Sequence, residues 1–152
     1  MISRSILLLP RLYLGVIFLA AAYSKFTIPV GFARALNGFL GSVAMQSASP
    51  AYKAILQSVV LPHAGVFAAL IEMGELFVGI TLLLGLVTRF AAAAAIFLLA
   101  NYFLAKGLPP WSPASNDMAD IVLSIVVMAG AAGRIFGLDK YLSARYPNVA
   151  LW

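Results

Sequence analysis

The sequence predicts an all-α fold: an integral membrane four-helix bundle made of two repeated helix pairs, with a surface-helix insertion after the first span. Two observations carry this reading. First, 63% of the 152 residues are hydrophobic and only 10% are charged, with a mean hydropathy of +1.01. A soluble domain carries about 25% charged residues. Second, the chain repeats itself: EMGELFVGITLLLGLVTR, from Glu72 to Arg89, returns 45 residues later as DMADIVLSIVVMAGAAGR, from Asp117 to Arg134. Without gaps, Glu72 meets Asp117, Glu75 meets Asp120, Gly85 meets Gly130 and Arg89 meets Arg134. Twice, an acid pair opens an apolar helix and an arginine closes it.

The elements follow in order. The first span covers about residues 5–25. Its basic start, apolar run and Ala20-Ala21-Ala22 imitate a signal peptide. However, IFLAAAY (17–23) resembles IFLLANY (96–102) in a later span, so the first helix is read as retained. Residues 27–62 are broken by Pro29, Gly31, Gly38, Gly41, Pro50 and Pro62. The helical stretches between them fall short of the roughly 20 apolar residues that a span needs, so this insertion is read as two short interfacial or capping helices. The second span covers about 64–88, and Thr88-Arg89 forms a very short turn. The third covers about 90–105, and KGLPPWSPASN is a proline-stiffened loop. The fourth covers about 117–136, and the tail 137–152 is a short interfacial segment. His63, Trp111 and Trp152 suit the membrane interface.

Four spans put both termini on one side, with Arg4, Arg11, Arg89, Arg134, Lys140 and Arg145 there and Lys25, Arg34, Lys53 and Lys106 opposite. The excess of basic residues predicts cytoplasmic termini in a bacterial-type inner (plasma) membrane, multi-pass, with both acid pairs facing outward. Arg89 and Arg134 are read as topology anchors. The net charge of +5 points to anionic lipid in the bilayer as partner, and no basic run with interleaved aromatics points to nucleic acid.

The candidate site is the acid layer. Glu72 lies about 25 Å along a helix from Arg89 at 1.5 Å per residue, which puts it near the outer boundary of the membrane core with Glu75 a turn deeper. Carboxylates there need partners. Glu72 and Glu75 share one helix face with Ala68 and Gly79, and Asp117 and Asp120 share one with Ser124 and Ala131. Acids and small residues on one face belong inside a bundle. Lys25 and Lys106, at the outer ends of spans one and three, reach the same layer, with Tyr23, Asn101 and Tyr102 nearby. The expected object is an outward-facing polar cavity above an apolar floor; a purely structural set of lysine–carboxylate pairs is the alternative.

The chain contains no cysteine and one histidine. For this chain alone that excludes disulfides, iron–sulfur ligation, c-type haem attachment and bis-histidine haem, and no metal site or covalently bound cofactor is expected. Any redox role needs a diffusible cofactor or a partner subunit.

Several stretches resemble a known family. Glu75-x3-Gly79 followed by LLLGLVTR (82–89), together with RLYLGVIF (11–18) and Ser24-Lys25-Phe26, is similar to the DoxX family of small four-helix membrane proteins. Asn116-Asp117 through GRIFGLD (133–139) resembles the related DoxD small subunit of thiosulfate:quinone oxidoreductase. The resemblance covers about residues 11–142. It implies a membrane subunit linked to quinone reduction or to an oxidative-stress complex. Three readings follow: a quinone-linked oxidoreductase subunit without its own redox centre, with a quinone headgroup in the acid layer; a non-catalytic membrane anchor or assembly factor; and a small-solute or proton carrier, which four helices serve only as a homo-oligomer.

Overall fold

The computed structural model describes residues 4–151; among them the chain is helical, with no strand. Trp152 lies outside the described residues. A tight turn, Arg4–Leu7, leads into α1, Leu8–Phe26. Gly31 (φ 78) opens α2, Phe32–Phe39, which runs on through a wide turn to Ser47. Then α3, Pro50–Ile55, continues through Leu56–His63 into α4, Ala64–Leu84. The sequence reading separates a surface helix from the second span here, but Pro50–Leu84 is one helical run of 35 residues. Pro62 sits in the first turn of a tight segment, where its missing N–H costs little. The geometry changes at His63 (φ −121, ψ 29) without ending the run.

At the far end α4 stops at Leu84, earlier than the expected 88. Gly85 takes the left-handed conformation (φ 62), and the Leu86 N–H donates back to the Thr81 carbonyl at 2.9 Å, as in a Schellman cap. Thr88 and Arg89 therefore do not form the turn; they open α5, Thr88–Lys106. The fourth helix, α6, is Asp117–Ala129 rather than 117–136. The chain leaves it through Ala131 (φ 47) and a tight turn, Ala132–Arg134, before α7, Asp139–Arg145. Gly133 lets this turn pack closely: a Cβ on it would strike Thr88 Oγ1 and Asp139 Oδ2.

Three helical runs are long and apolar enough to cross a membrane: Ser5–Phe26, Pro50–Leu84 and Thr88–Lys106. The protein is thus an all-helical membrane protein. At 1.5 Å per residue α6 is about 20 Å long, against a core of roughly 30 Å.

The long helices pack in a ring, α1 against α4 and α6, and α5 against the same two. Leu14 and Phe18 of α1, Val78 and Leu82 of α4, Ala91, Ala95 and Leu99 of α5 and Val127 of α6 fill the centre. α1 and α4 cross closely. A Cβ on Gly79 would lie 2.9 Å from the Leu19 backbone nitrogen, and one on Gly15 would lie 3.2 Å from that of Leu83; these small residues let the backbones meet. The insertion caps one end: Leu36, Leu40, Ala44 and Leu56 bury against Ala68 of α4 and Ala105 of α5. Gly107 closes α5 with φ 60, and its bare Cα lets the Ser47 carbonyl rest against it.

At the opposite end a buried polar clasp joins the helices. Arg11 Nη1 donates to the Ala132 and Ile135 carbonyls, both at 2.8 Å. The Asp139 carboxylate accepts from the Val87 and Thr88 N–H groups, at 2.7 and 2.8 Å, and so caps α5 from a distant part of the chain. The Leu138 and Asp139 N–H groups donate to the Leu84 and Gly85 carbonyls, at 3.1 and 2.8 Å. Arg11 and Asp139 are both fully buried. This end gathers the start of α1, the end of α4, the start of α5 and the exit from α6, so the helices alternate in direction.

Removing the Asp139 carboxylate strands two N–H donors and leaves the buried Arg11 without its nearby negative charge. Asp139→Ala is expected to lower the unfolding free energy by about 2–3 kcal/mol, while Lys140→Ala next to it stays within about 0.5 kcal/mol. Thermal unfolding in mild detergent measures both, and equal shifts would reject the clasp.

Candidate functional site

The cap end holds the deepest charged cluster. Lys25 Nζ, from the last turn of α1, donates to Glu75 Oε1 and Oε2 of α4, both at 2.7 Å. Tyr102 of α5 donates its hydroxyl to Glu75 Oε1, also at 2.7 Å. Three helices thus converge on one carboxylate, whose side chain is 1% exposed against 18% for Lys25. The rings of Phe32 and Tyr102 lie 5.4 and 5.8 Å from Lys25 Nζ, within cation–π range. Phe32 belongs to the insertion, so the layer that the sequence reading opens as a cavity is roofed. The apolar insertion helices gain more by burying on α4 and α5 than by standing off from them.

Glu75 also lies deeper than its spacing to Arg89 implies. Because α4 ends at Leu84, the stretch from Glu75 to the helix end is about 13.5 Å long at 1.5 Å per residue, close to half of a ~30 Å core. Counting through Gly85–Val87 as helix places it too far out. At this depth a carboxylate without a partner is costly, and the short bonds from Lys25 and Tyr102 answer that cost.

The other candidates divide. Lys106 Nζ binds Asp117 Oδ1 and Oδ2 at 2.9 and 2.8 Å and Ser115 Oγ at 3.3 Å, more openly, with side-chain exposures of 36% and 10%. Asp120 is buried, in the first turn of α6. Glu72 is half-buried and has no hydrogen-bond or ion-pair partner among the described residues. Asn101 serves the insertion instead, accepting from the Tyr52 hydroxyl at 2.9 Å while its amide donates to the Phe97 carbonyl. Tyr23, 72% exposed, faces away from the cluster. Arg89 and Arg134 lie at the clasp end. Arg134 is exposed, and Arg89 has a buried Nε without a partner.

Sequence reasoning missed three polar residues: Arg11, Thr88 and Asp139. The signal was available for two of them. Arg11 stands inside an apolar span, and Asp139 is the one acid outside the repeated pairs.

Chemically, the ammonium of Lys25 has three N–H donors, two of them on Glu75. Tyr102 donates its proton to Glu75 and keeps oxygen lone pairs to accept another. The cluster is a cation, an anion and a phenol between aromatic walls, able to donate to a carbonyl oxygen and to hold a proton beside it.

The family model DoxX matches residues 6–107. The match includes Lys25, Glu75, Tyr102 and the whole insertion, and it stops before α6 and Asp139. No curated protein and no solved structure matches the chain.

The two ion pairs differ in burial, and so should their energetics. Glu75→Ala leaves a deep ammonium unpaired and is expected to cost about 3 kcal/mol, whereas Asp117→Ala, at the more exposed pair, costs about 1 kcal/mol. Chemical unfolding in detergent orders the two variants, and the reverse order would contradict the burial argument.

Proposed function

The chain belongs to the DoxX family, and from that premise we propose that it is a membrane subunit of a quinone-linked oxidoreductase that meets the quinone headgroup at the Lys25–Glu75–Tyr102 cluster. One observation carries the reading: a cation sits against a buried carboxylate and a phenol, between the rings of Phe32 and Tyr102. A quinone carbonyl needs a donor in apolar surroundings, and these residues fit that need. When bound, a quinone supplies two-electron, two-proton chemistry. Lys25 holds the headgroup, Glu75 orients Lys25, and the Glu75–Tyr102 bond carries a proton beside it. With no cysteine and one histidine in the chain, electrons come from a partner subunit.

A second reading, a non-catalytic anchor or assembly factor, is favoured by one fact: Glu75 and Asp117 are already hydrogen-bonded within the fold. The experiment that separates the two is quinone content. Quinone extracted from protein purified in mild detergent, counted per chain by mass spectrometry, is expected near one in wild type. It is expected several-fold lower in Glu75→Gln and in Tyr102→Phe, the latter keeping the ion pair and the fold. Quinone absent from wild type, or unchanged in both variants, favours the anchor.

The reading also assigns an orientation in a bacterial-type inner membrane. All four long helices cross, α6 completing its passage with the Gly130–Arg134 turn. The clasp end carries six basic residues (Arg4, Arg11, Arg89, Arg134, Lys140, Arg145) and one acid, Asp139. The cap end carries four of each sign. The net charge of the chain therefore lies at the clasp end, which supports cytoplasmic termini. A fluorescent reporter fused after Trp152 is expected to fluoresce and a phosphatase fused there to stay inactive; the opposite pattern would invert the topology.

A further inference from the structure

We propose that the groove at the clasp end, between the end of α4 and α7, binds one anionic phospholipid. The groove is about 460 Å³ and is lined by Leu83 and Leu84 of α4 and by Phe136, Leu138, Lys140 and Tyr141 of the following segment. Its walls are apolar and its rim is polar. Lys140 Nζ and the Tyr141 hydroxyl have no hydrogen-bond or ion-pair partner among the described residues, and Tyr141 is 71% exposed.

The backbone is strained to build this groove. Phe136 has φ 50, a conformation that a bulky residue adopts only when its surroundings impose it. They do so on both sides: the Ile135 carbonyl is held by Arg11, and the Leu138 and Asp139 N–H groups are held by the end of α4. Between these anchors Phe136 is turned outward, 80% exposed. An apolar ring so placed meets an acyl chain running along Leu83 and Leu84.

Charge selects the headgroup. Asp139 is fully buried and turned inward onto the α5 amides, so among the described residues no acidic side chain opposes an anion at the rim. Arg134 and Arg145 lie on the turn before and the helix after Phe136 and add to the positive field. A phosphodiester with a net negative headgroup satisfies Lys140 and the Tyr141 hydroxyl together, whereas a zwitterionic headgroup brings its own cation to a positive surface.

The test uses the delipidated full chain in mild detergent, with phosphatidylglycerol or phosphatidylcholine of the same acyl chains added, and native mass spectrometry to count retained lipid. Wild type is expected to retain one phosphatidylglycerol and to prefer it over phosphatidylcholine. Lys140→Ala is expected to weaken retention about five-fold, Phe136→Ala to weaken both lipids, and Lys53→Ala at the cap end to change nothing. Equal retention of the two lipids, no effect of Lys140→Ala, or an equal loss in Lys53→Ala would overturn the proposal.

Discussion

In a chain this apolar, a buried charge is costly unless the fold supplies its partners, and the clasp of Arg11 and Asp139 shows how far that constraint reaches, even though Arg11 Nε and Thr88 Oγ1 within it are buried without a partner. One carboxylate caps α5, the adjoining N–H groups close onto the end of α4, and one guanidinium from α1 holds the exit from α6. Among the described residues, the three non-glycine residues with positive φ, Val87, Ala131 and Phe136, all lie in these same turns. Such conformations cost of order 1–3 kcal/mol each and persist where neighbours over-determine them. The Val87 N–H bonded to Asp139 Oδ1 and the Ile135 carbonyl bonded to Arg11 provide that over-determination. Fixing the helix starts and ends at the clasp sets the register of α1 against α4, and that register brings Lys25 opposite Glu75 at the other end.

The cap end sets the two similar stretches of sequence side by side. Lys25 pairs with the second acid of its repeat, Glu75, while Lys106 pairs with the first of the other, Asp117. Tyr102 and Tyr23 stand at matching positions of the repeated IFLLANY and IFLAAAY, yet Tyr102 binds Glu75 and Tyr23 faces out. The insertion exists in one half only. It covers Lys25 with Phe32 and packs on the outer parts of α4 and α5, which makes one pair deep and leaves the other near the surface. The resulting asymmetry singles out one cluster from two similar sets of residues as the ligand-binding candidate.

Much of this was legible in the sequence, and the limits have physical causes. Hydropathy and the repeat identify the long helices, because helical periodicity and acid spacing are local properties. The lysine–carboxylate layer was legible for the same reason: charges in an apolar span demand partners, and few were on offer. Register was not, since a repeat says which helix a residue is on and not how far one helix slides along another. Hence Lys25 to Glu75 rather than Glu72, and Tyr52 to Asn101. α4 ends before the expected 88 because Gly85 caps it in the left-handed conformation (φ 62), where a glycine inside an apolar run reads equally well as part of the helix; the next helix then starts from Val87 (φ 43), a β-branched residue held there by Asp139, distant in sequence. The break between insertion and second span was misplaced because a proline at the first turn of a helical segment reads like a proline that ends one.

The account's central claim is that the buried Lys25–Glu75–Tyr102 cluster is where a quinone meets this chain. The most direct measurement is photo-crosslinking with a light-activated quinone analogue in native membranes, followed by peptide mapping. The account predicts label on α1 near Lys25, on α5 near Tyr102 and on the insertion at Phe32, displaced by unlabelled quinone. Label confined to other faces of the bundle, such as the apolar groove beside Tyr13 and Leu123, or label that unlabelled quinone does not displace, would contradict it.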